Sequence, residues 1–210
     1  MTQLFLIRHG LNDWADKKLA GWTPGVHLND AGRRQAEALI ERLAPIDLEA
    51  IYSSPLERAL ETAVPLARAR GLKVIRMRDL GEVRYGDWQG KSLGQLKKRK
   101  EWAIVQMAPS VMRFPNGESL REMQNRAVAG IERIVAAHPK GNVAAFSHGD
   151  VIKAIVAHFV GMPLDSFQRL IVAPASVTVL GIGPFGARLL RLNDTGPFAP
   201  PSQNGRARQR

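Results

Sequence analysis

A chain of 210 residues, 45% of them hydrophobic and 23% charged, has the balance of a water-soluble globular protein, and one domain burying about 70% of its unfolded surface is expected at this length. No apolar run reaches the roughly 18 residues of a membrane span, and the lack of cysteine excludes disulfides, thiolate chemistry and cysteine-ligated zinc. The net charge of +11, from 30 Lys and Arg against 19 Asp and Glu, suits an anionic ligand.

The first residues, Met1-Thr2-Gln3-Leu4, enter an apolar segment without a basic n-region or cleavage site, so no secretory signal is read and the expected compartment is cytoplasmic. Leu4-Phe5-Leu6-Ile7 predicts a first strand, which stops at Arg8-His9-Gly10. After a long polar loop, Asn29-Asp30 supplies caps for a helix that carries Ala36, Leu39, Ile40 and Leu43 at helical spacing and ends before Pro45. Residues 48–52 predict a short strand. Ser54-Pro55-Leu56-Glu57 then reads as a capping box, with serine at the N-cap, proline at the first helical position and glutamate at the third. Residues 72–77 predict another strand.

Ser92-Leu93-Gly94-Gln95 predicts the cap of a helix running toward Trp102 and Val105. Ser119-Leu120-Arg121-Glu122 opens a longer one through Val128, Ile131, Ile134 and Val135 toward Pro139. Residues 142–146 predict a buried strand leading to Ser147-His148-Gly149, followed by a helix over 151–160 with Gly161 as its stop. Two last strands, 177–182 and 188–192, flank Gly183-Pro184-Phe185-Gly186 as a hairpin. A single domain is expected over 1–196, with 197–210 a flexible, basic, proline-rich tail.

Alternating strands and helices predict an α/β fold. An open α/β sheet holds its ligands outside the carboxyl ends of its strands, where both His9 and His148 fall. Arg8, beside the first imidazole, suits phosphate, because a guanidinium presents paired planar donors to oxyanions. Arg58, in the first turn of the helix after Ser54, adds a second clamp. With Glu82 these residues form a set for phosphoryl transfer. His9 supplies a neutral nucleophilic nitrogen, His148 holds the equatorial oxygens, and Glu82 exchanges a proton first with the leaving oxygen and then with water.

Neither a metal nor a cofactor is implied. The run Lys97-Lys98-Arg99-Lys100 reads as a solvated face or as a device that steers anionic substrate. No zinc-finger spacing, aromatic RNA-binding signature or helix-turn-helix pattern accompanies it, which speaks against nucleic acid as a partner. His27, His138 and His158 have no motif context and read as surface or capping histidines. Trp22, Trp88, Trp102, Met107, Met112 and Phe114 suit either a pocket wall or core packing. In Asn116-Gly117-Glu118-Ser119, the serine caps a helix, and Glu118 and Ser119 are also candidates for touching substrate.

Taken together, Leu6-Ile7-Arg8-His9-Gly10, Ser53-Ser54-Pro55-Leu56-Glu57-Arg58-Ala59-Leu60-Glu61-Thr62, Gly81-Glu82 with Tyr85-Gly86-Asp87-Trp88-Gln89-Gly90, and Ser147-His148-Gly149 carry a resemblance. From Leu4 to about Gly196 the chain resembles the phosphoglycerate-mutase-like branch of the histidine phosphatase superfamily. The resemblance implies a three-layer α/β/α sandwich around a largely parallel sheet and a small phosphorylated substrate. It also implies phosphorylation of His9, phosphate binding by Arg8, Arg58 and His148, and proton donation by Glu82, with Asn12 and Gly21 as further substrate-binding positions.

Some positions depart from the family pattern. Leu11-Asn12 stands where members often carry Glu-Thr or Glu-Ser, so Asn12 takes the place of a hydroxyl donor, and Ala15 stands where many carry a phosphate-contacting asparagine. Between Glu82 and His148 lie 65 residues, fewer than in true phosphoglycerate mutases, whose longer segment retains a bisphosphate and excludes water. That difference favours a phosphomonoester hydrolase. Leu19-Ala20-Gly21-Trp22-Thr23-Pro24-Gly25 and Ser147-His148-Gly149-Asp150-Val151-Ile152-Lys153 resemble a subgroup labelled probable phosphomutases, so a phosphomutase is the alternative. A noncatalytic phospho-ligand-binding module is the reading from another class, and retention of both histidines with Glu82 argues against it. A homo-oligomer stays open.

Overall fold

A computed structural model of the chain describes residues 1–196, and the expected tail at 197–210 lies outside the described residues. In chain order the elements are β1 (Thr2–Arg8), α1 (Asp30–Arg42), β2 (Ala50–Ser53), α2 (Glu57–Ala69), β3 (Val74–Arg76), α3 (Leu93–Leu96), α4 (Lys100–Met107), α5 (Leu120–Ala137), β4 (Asn142–Ser147), α6 (Gly149–Phe159), β5 (Val177–Gly183) and β6 (Gly186–Asp194). They build a six-stranded sheet in the order β3-β2-β4-β1-β5-β6. The first four strands run parallel, while β5 pairs antiparallel with β1 and with β6.

The period of two along β1 sorts its side chains onto two layers. Phe5 and Ile7 pack with Leu39 of α1, with Leu43 just after that helix and with Leu66 of α2. Leu4 and Leu6 pack with Ile131 of α5 and Ile155 of α6 on the opposite face. Helices on both faces of one sheet give the expected three layers. The positions at which the chain leaves two neighbouring strands matter most for function. From β1 it departs toward the α1 face and from β4 toward the α6 face, so a crevice opens at the carboxyl ends of this adjacent, parallel pair. Arg8 is in register with Ser147, which sets His9 and His148 side by side at the mouth of that crevice.

Most helix signals read from sequence have structural counterparts. Asn29 caps α1 by accepting from the Gly32 N–H, and Ser119 with Glu122 forms the capping box of α5. Gly161, at φ +71°, follows the last turn of α6. Two expectations need correction. Ser54 does not cap α2: the helix begins at Glu57, and Leu56 before it is extended at φ −76°, ψ 141° with no side-chain cap. The Ser54 hydroxyl lies instead 2.8 Å from His148 Nε2.

The helix expected from Ser92 to Val105 is also broken. Ser92 and Gln95 do form a capping box, but α3 lasts one turn and Arg99 is extended at φ −83°, ψ 143° before α4 restarts. A continuous helix would stack the like charges of Lys97 and Lys100 one turn apart. The break also lets Arg99 lay its guanidinium over the Trp88 ring, 5.9 Å from its centroid.

Candidate active site

An open cavity of about 240 Å³ lies at the crevice, with Arg8, His9, Arg58 and Glu82 in its wall. His9 follows β1 directly and is 5% exposed. Its loop is held through its own N–H groups and by a close approach of α1. The Gly10 N–H donates to Thr62 Oγ1 at 3.0 Å, the Leu11 N–H donates to Gln35 Oε1 at 2.9 Å, and a Cβ on Gly32 would sit 2.0 Å from the Leu11 carbonyl oxygen. Only glycine lets α1 approach the loop so closely.

His9 Nδ1 lies 2.8 Å from the Gly10 carbonyl oxygen. A carbonyl only accepts, so Nδ1 carries the hydrogen and Nε2 the free lone pair. Burial, reinforced by the Arg58 and Arg8 charges, holds the His9 pKa well below its ordinary value, so the ring is neutral at pH 7. His148 stands behind this wall, wholly buried, with its ring centroid 5.2 Å from that of His9. Arg58 Nη2 reaches His148 Nδ1 at 3.2 Å. A guanidinium cannot accept, so Nδ1 is the acceptor and Nε2–H donates to Ser54 Oγ. Burial and the Arg58 charge depress the His148 pKa as well.

Both arginines are anchored yet keep donors free. Arg8 Nη1 donates to the Val172 carbonyl at 2.7 Å and Arg58 Nη2 to the Gly21 carbonyl at 3.0 Å. Arg8 Nε, Arg58 Nε and Arg58 Nη1 are buried without an acceptor among the described residues. Such donors carry a substantial desolvation cost unless an oxyanion from a ligand meets them. Gly21, read as a substrate-binding position, does not line the cavity; its carbonyl accepts from Arg58. Asn12 does line it, with Oδ1 accepting from the Trp14 N–H at 2.9 Å, so its amide nitrogen is the group left to donate.

Glu82, 13% exposed, accepts the Val83 N–H at Oε1 and places Oε2 3.8 Å from His148 Nδ1. Burial and the neighbouring Asp150 carboxylate push its pKa up to about 7, against the opposing pull of Arg58. Tyr85 donates to Asp150 Oδ2 at 3.3 Å, and both line the cavity with Lys153.

Several sequence candidates fall elsewhere. Trp88, Met112 and Phe114 are core residues, Trp102 packs against that core, and Met107 is exposed. Trp22 donates its indole N–H to the Glu82 carbonyl from outside the cavity, where Trp14 and Tyr85 are the aromatic walls. Residues 97–100 are exposed and do not line it. Glu118 and Ser119 do not line it either, since Ser119 caps α5 and Glu118 pairs with Arg126. His27 pairs with Glu61 at the surface and His138 ends α5, as expected. Among the described residues no three His, Asp or Glu side chains are grouped as a metal centre, and no helix is long and apolar enough to cross a membrane.

Residues 4–195 match the family model described as "Histidine phosphatase superfamily (branch 1)". The chain belongs to the histidine phosphatase superfamily. This histidine phosphatase is 28% identical over 200 residues to phosphoserine phosphatase 1 of Hydrogenobacter thermophilus, covering 93% of each chain. Among solved structures it resembles Bacillus stearothermophilus YhfR at a TM-score of 0.86 and 30% identity, covering 92% of this chain and 98% of that one. A mycobacterial glucosyl-3-phosphoglycerate phosphatase superposes at a TM-score of 0.83 with 27% identity, covering 91% and 98%.

Proposed function

We propose that this histidine phosphatase hydrolyses small phosphomonoesters through a phosphohistidine on His9. The observation that carries the reading is the meeting, in one cavity, of a free imidazole lone pair, unpaired guanidinium donors and a carboxyl group that holds its proton near pH 7. His9 Nε2 attacks phosphorus, and the bond from phosphorus to the ester oxygen breaks. Glu82 gives its proton to the departing oxygen. The Glu82 carboxylate then takes a proton from water as that water attacks, and the electron pair of the N–P bond returns to Nε2. Arg8 and Arg58 neutralise the phosphoryl oxygens throughout. A bound phosphate dianion reverses the local field at His148 and favours uptake of a proton there, which turns Nδ1 into a donor.

The relatives' printed names, phosphoserine phosphatase and glucosyl-3-phosphoglycerate phosphatase, support small phosphorylated metabolites as the substrate class. The same reading takes residues 1–196 as one domain, because both apolar layers pack on a single sheet.

The reaction order fixes a pH dependence. His9 must be neutral and Glu82 protonated, so kcat/KM for an alkyl phosphate falls about tenfold per pH unit above the Glu82 pKa of about 7. No loss from His9 protonation is expected between pH 6.5 and 7, because its pKa lies well below the ordinary 6.5. A pH–rate profile flat from 7 to 9 for an alkyl ester would contradict the role given to Glu82.

Phosphatase and mutase share the first step and part at the second. With isotopically labelled phosphate in a monophosphate substrate, label is expected mainly in inorganic phosphate, and added bisphosphoglycerate should not activate. Label moving to another hydroxyl of the same metabolite, with a phosphoenzyme that outlasts many turnovers, would establish the mutase instead.

A further inference from the structure

The peptide that carries Glu82 is held by an ion pair that never reaches the cavity. Arg126, on α5, uses all five of its N–H donors. Nη1 donates to the carbonyls of Asp79 and Gly81, both at 2.8 Å, and Nη2 donates to the Glu82 carbonyl at 2.9 Å. The remaining two donors go to Glu118, Nη2 to Oε1 at 2.6 Å and Nε to Oε2 at 3.0 Å. The fork thus grips three carbonyls on one side and a carboxylate on the other.

Glu118 closes the loop from its far side. Its Oε1 accepts the Arg84 N–H at 2.9 Å and its own N–H donates to the Arg84 carbonyl at 3.0 Å. Behind this the Asp87 N–H donates to the Pro115 carbonyl at 2.9 Å, and a Cβ on Gly86 would lie 2.0 Å from that same carbonyl oxygen. The Glu82 carbonyl also accepts from Trp22 Nε1 at 2.6 Å, so both of its lone pairs are taken and its peptide plane is fixed. Neither Glu118 nor Arg126 lines the cavity, and their side chains are only 10% and 17% exposed. A buried pair with every polar atom satisfied is rigid, whereas its desolvation makes it a weak source of net stability.

We propose that Glu118 and Arg126 are positioning residues for proton transfer, setting where the Glu82 carboxyl meets the leaving oxygen. The inference rests on the reading of Glu82 as the proton donor. It assigns Asn116-Gly117-Glu118-Ser119 a purpose beyond starting α5, because that turn supplies the carboxylate half of the clamp. Lysine at position 126 keeps the charge but presents one compact ammonium in place of the planar fork, and so cannot hold three carbonyls and a carboxylate together.

The experiment compares Arg126→Lys and Glu118→Gln with the unmodified protein on two substrates, p-nitrophenyl phosphate, with its activated aryl leaving group, and glycerol phosphate, with a poor alkyl one. If the clamp positions the donor, kcat/KM on glycerol phosphate falls roughly 10- to 100-fold, since displacement of a reacting group by an ångström costs about that much. The aryl substrate, which needs little protonation, should lose about 3-fold or less. The alkaline limb of the glycerol phosphate profile should move as well. Adding Arg126→Lys to Glu82→Gln should lower alkyl turnover no further, because both act on one step.

The ratio of the two substrates is read on the same active molecules, so a smaller folded fraction cancels. Should Arg126→Lys be insoluble, Glu118→Gln, which keeps an acceptor for the Arg84 N–H, carries the comparison. Glu82→Gln separates the two readings. Equal losses on both substrates in that variant would remove the donor role itself. A leaving-group-dependent loss in Glu82→Gln, with an unchanged ratio in the clamp variants, would overturn the positioning role alone.

Discussion

A His9→Ala variant is expected to lose at least about 10⁴-fold in kcat and to trap no acid-labile, base-stable phosphate, while still binding the phosphorylated ligand. The magnitude follows from the absence of a substitute among the described residues around the cavity. His148 has the right chemistry, but it is wholly buried, its Nε2–H is directed at Ser54, and its Nδ1 faces Arg58. Ser54 is buried and Tyr85 is held far in its neutral form by burial and by the Glu82 and Asp150 charges. The arginine donors are untouched by the substitution, so inorganic phosphate should still raise the melting temperature of the variant. Quench-flow trapping on labelled substrate checks the first part and calorimetry the second. Appreciable turnover by the variant would remove His9 from the chemistry.

Glu82→Gln is expected to cost roughly 10²–10⁴-fold on an alkyl phosphate and far less on an activated aryl phosphate. Glutamine has the same shape and keeps an oxygen for the Val83 N–H, so the change isolates the proton from the packing. The variant should also lose the alkaline limb, because the group whose pKa is raised to about 7 is gone. A loss of equal size on both substrates would point to a positional role for the side chain. The two substitutions should be strongly non-additive on an alkyl ester, since removal of the nucleophile leaves nothing for the acid to assist.

The α/β order, the hairpin and the strand ends bearing His9 and His148 are legible in the sequence because each rests on a local signal: an apolar run, a turn dipeptide, a histidine immediately beyond a strand. Arg58 is legible for the same reason, as it sits in the first turn of a strongly patterned helix. Ser54 is misread because a serine before a proline has two competing uses, and whether its hydroxyl caps a helix or meets an imidazole depends on β4, far along the chain. The break at Arg99 is hidden for a similar reason, since the Trp88 ring that receives its guanidinium lies in another segment. Arg126 carries no local mark at all. Only the folded loop shows that three carbonyls and a carboxylate converge on it. Thr62 is an intermediate case: four residues after Arg58 it shares that helix face, and its hydroxyl both accepts from Gly10 and donates to the Arg58 carbonyl.

The pairing of β1 with β4 has a kinetic corollary. The two imidazoles stand at positions 9 and 148, and the register of Arg8 with Ser147 brings their ring centroids to 5.2 Å. Helices α1, α2 and α5 close through local contacts on microsecond timescales, whereas this ladder closes a loop that spans most of the protein and is correspondingly slow. During refolding, recovery of helical circular dichroism and recovery of turnover therefore report separate events. Catalysis serves as a clock for the moment at which β1 and β4 find each other.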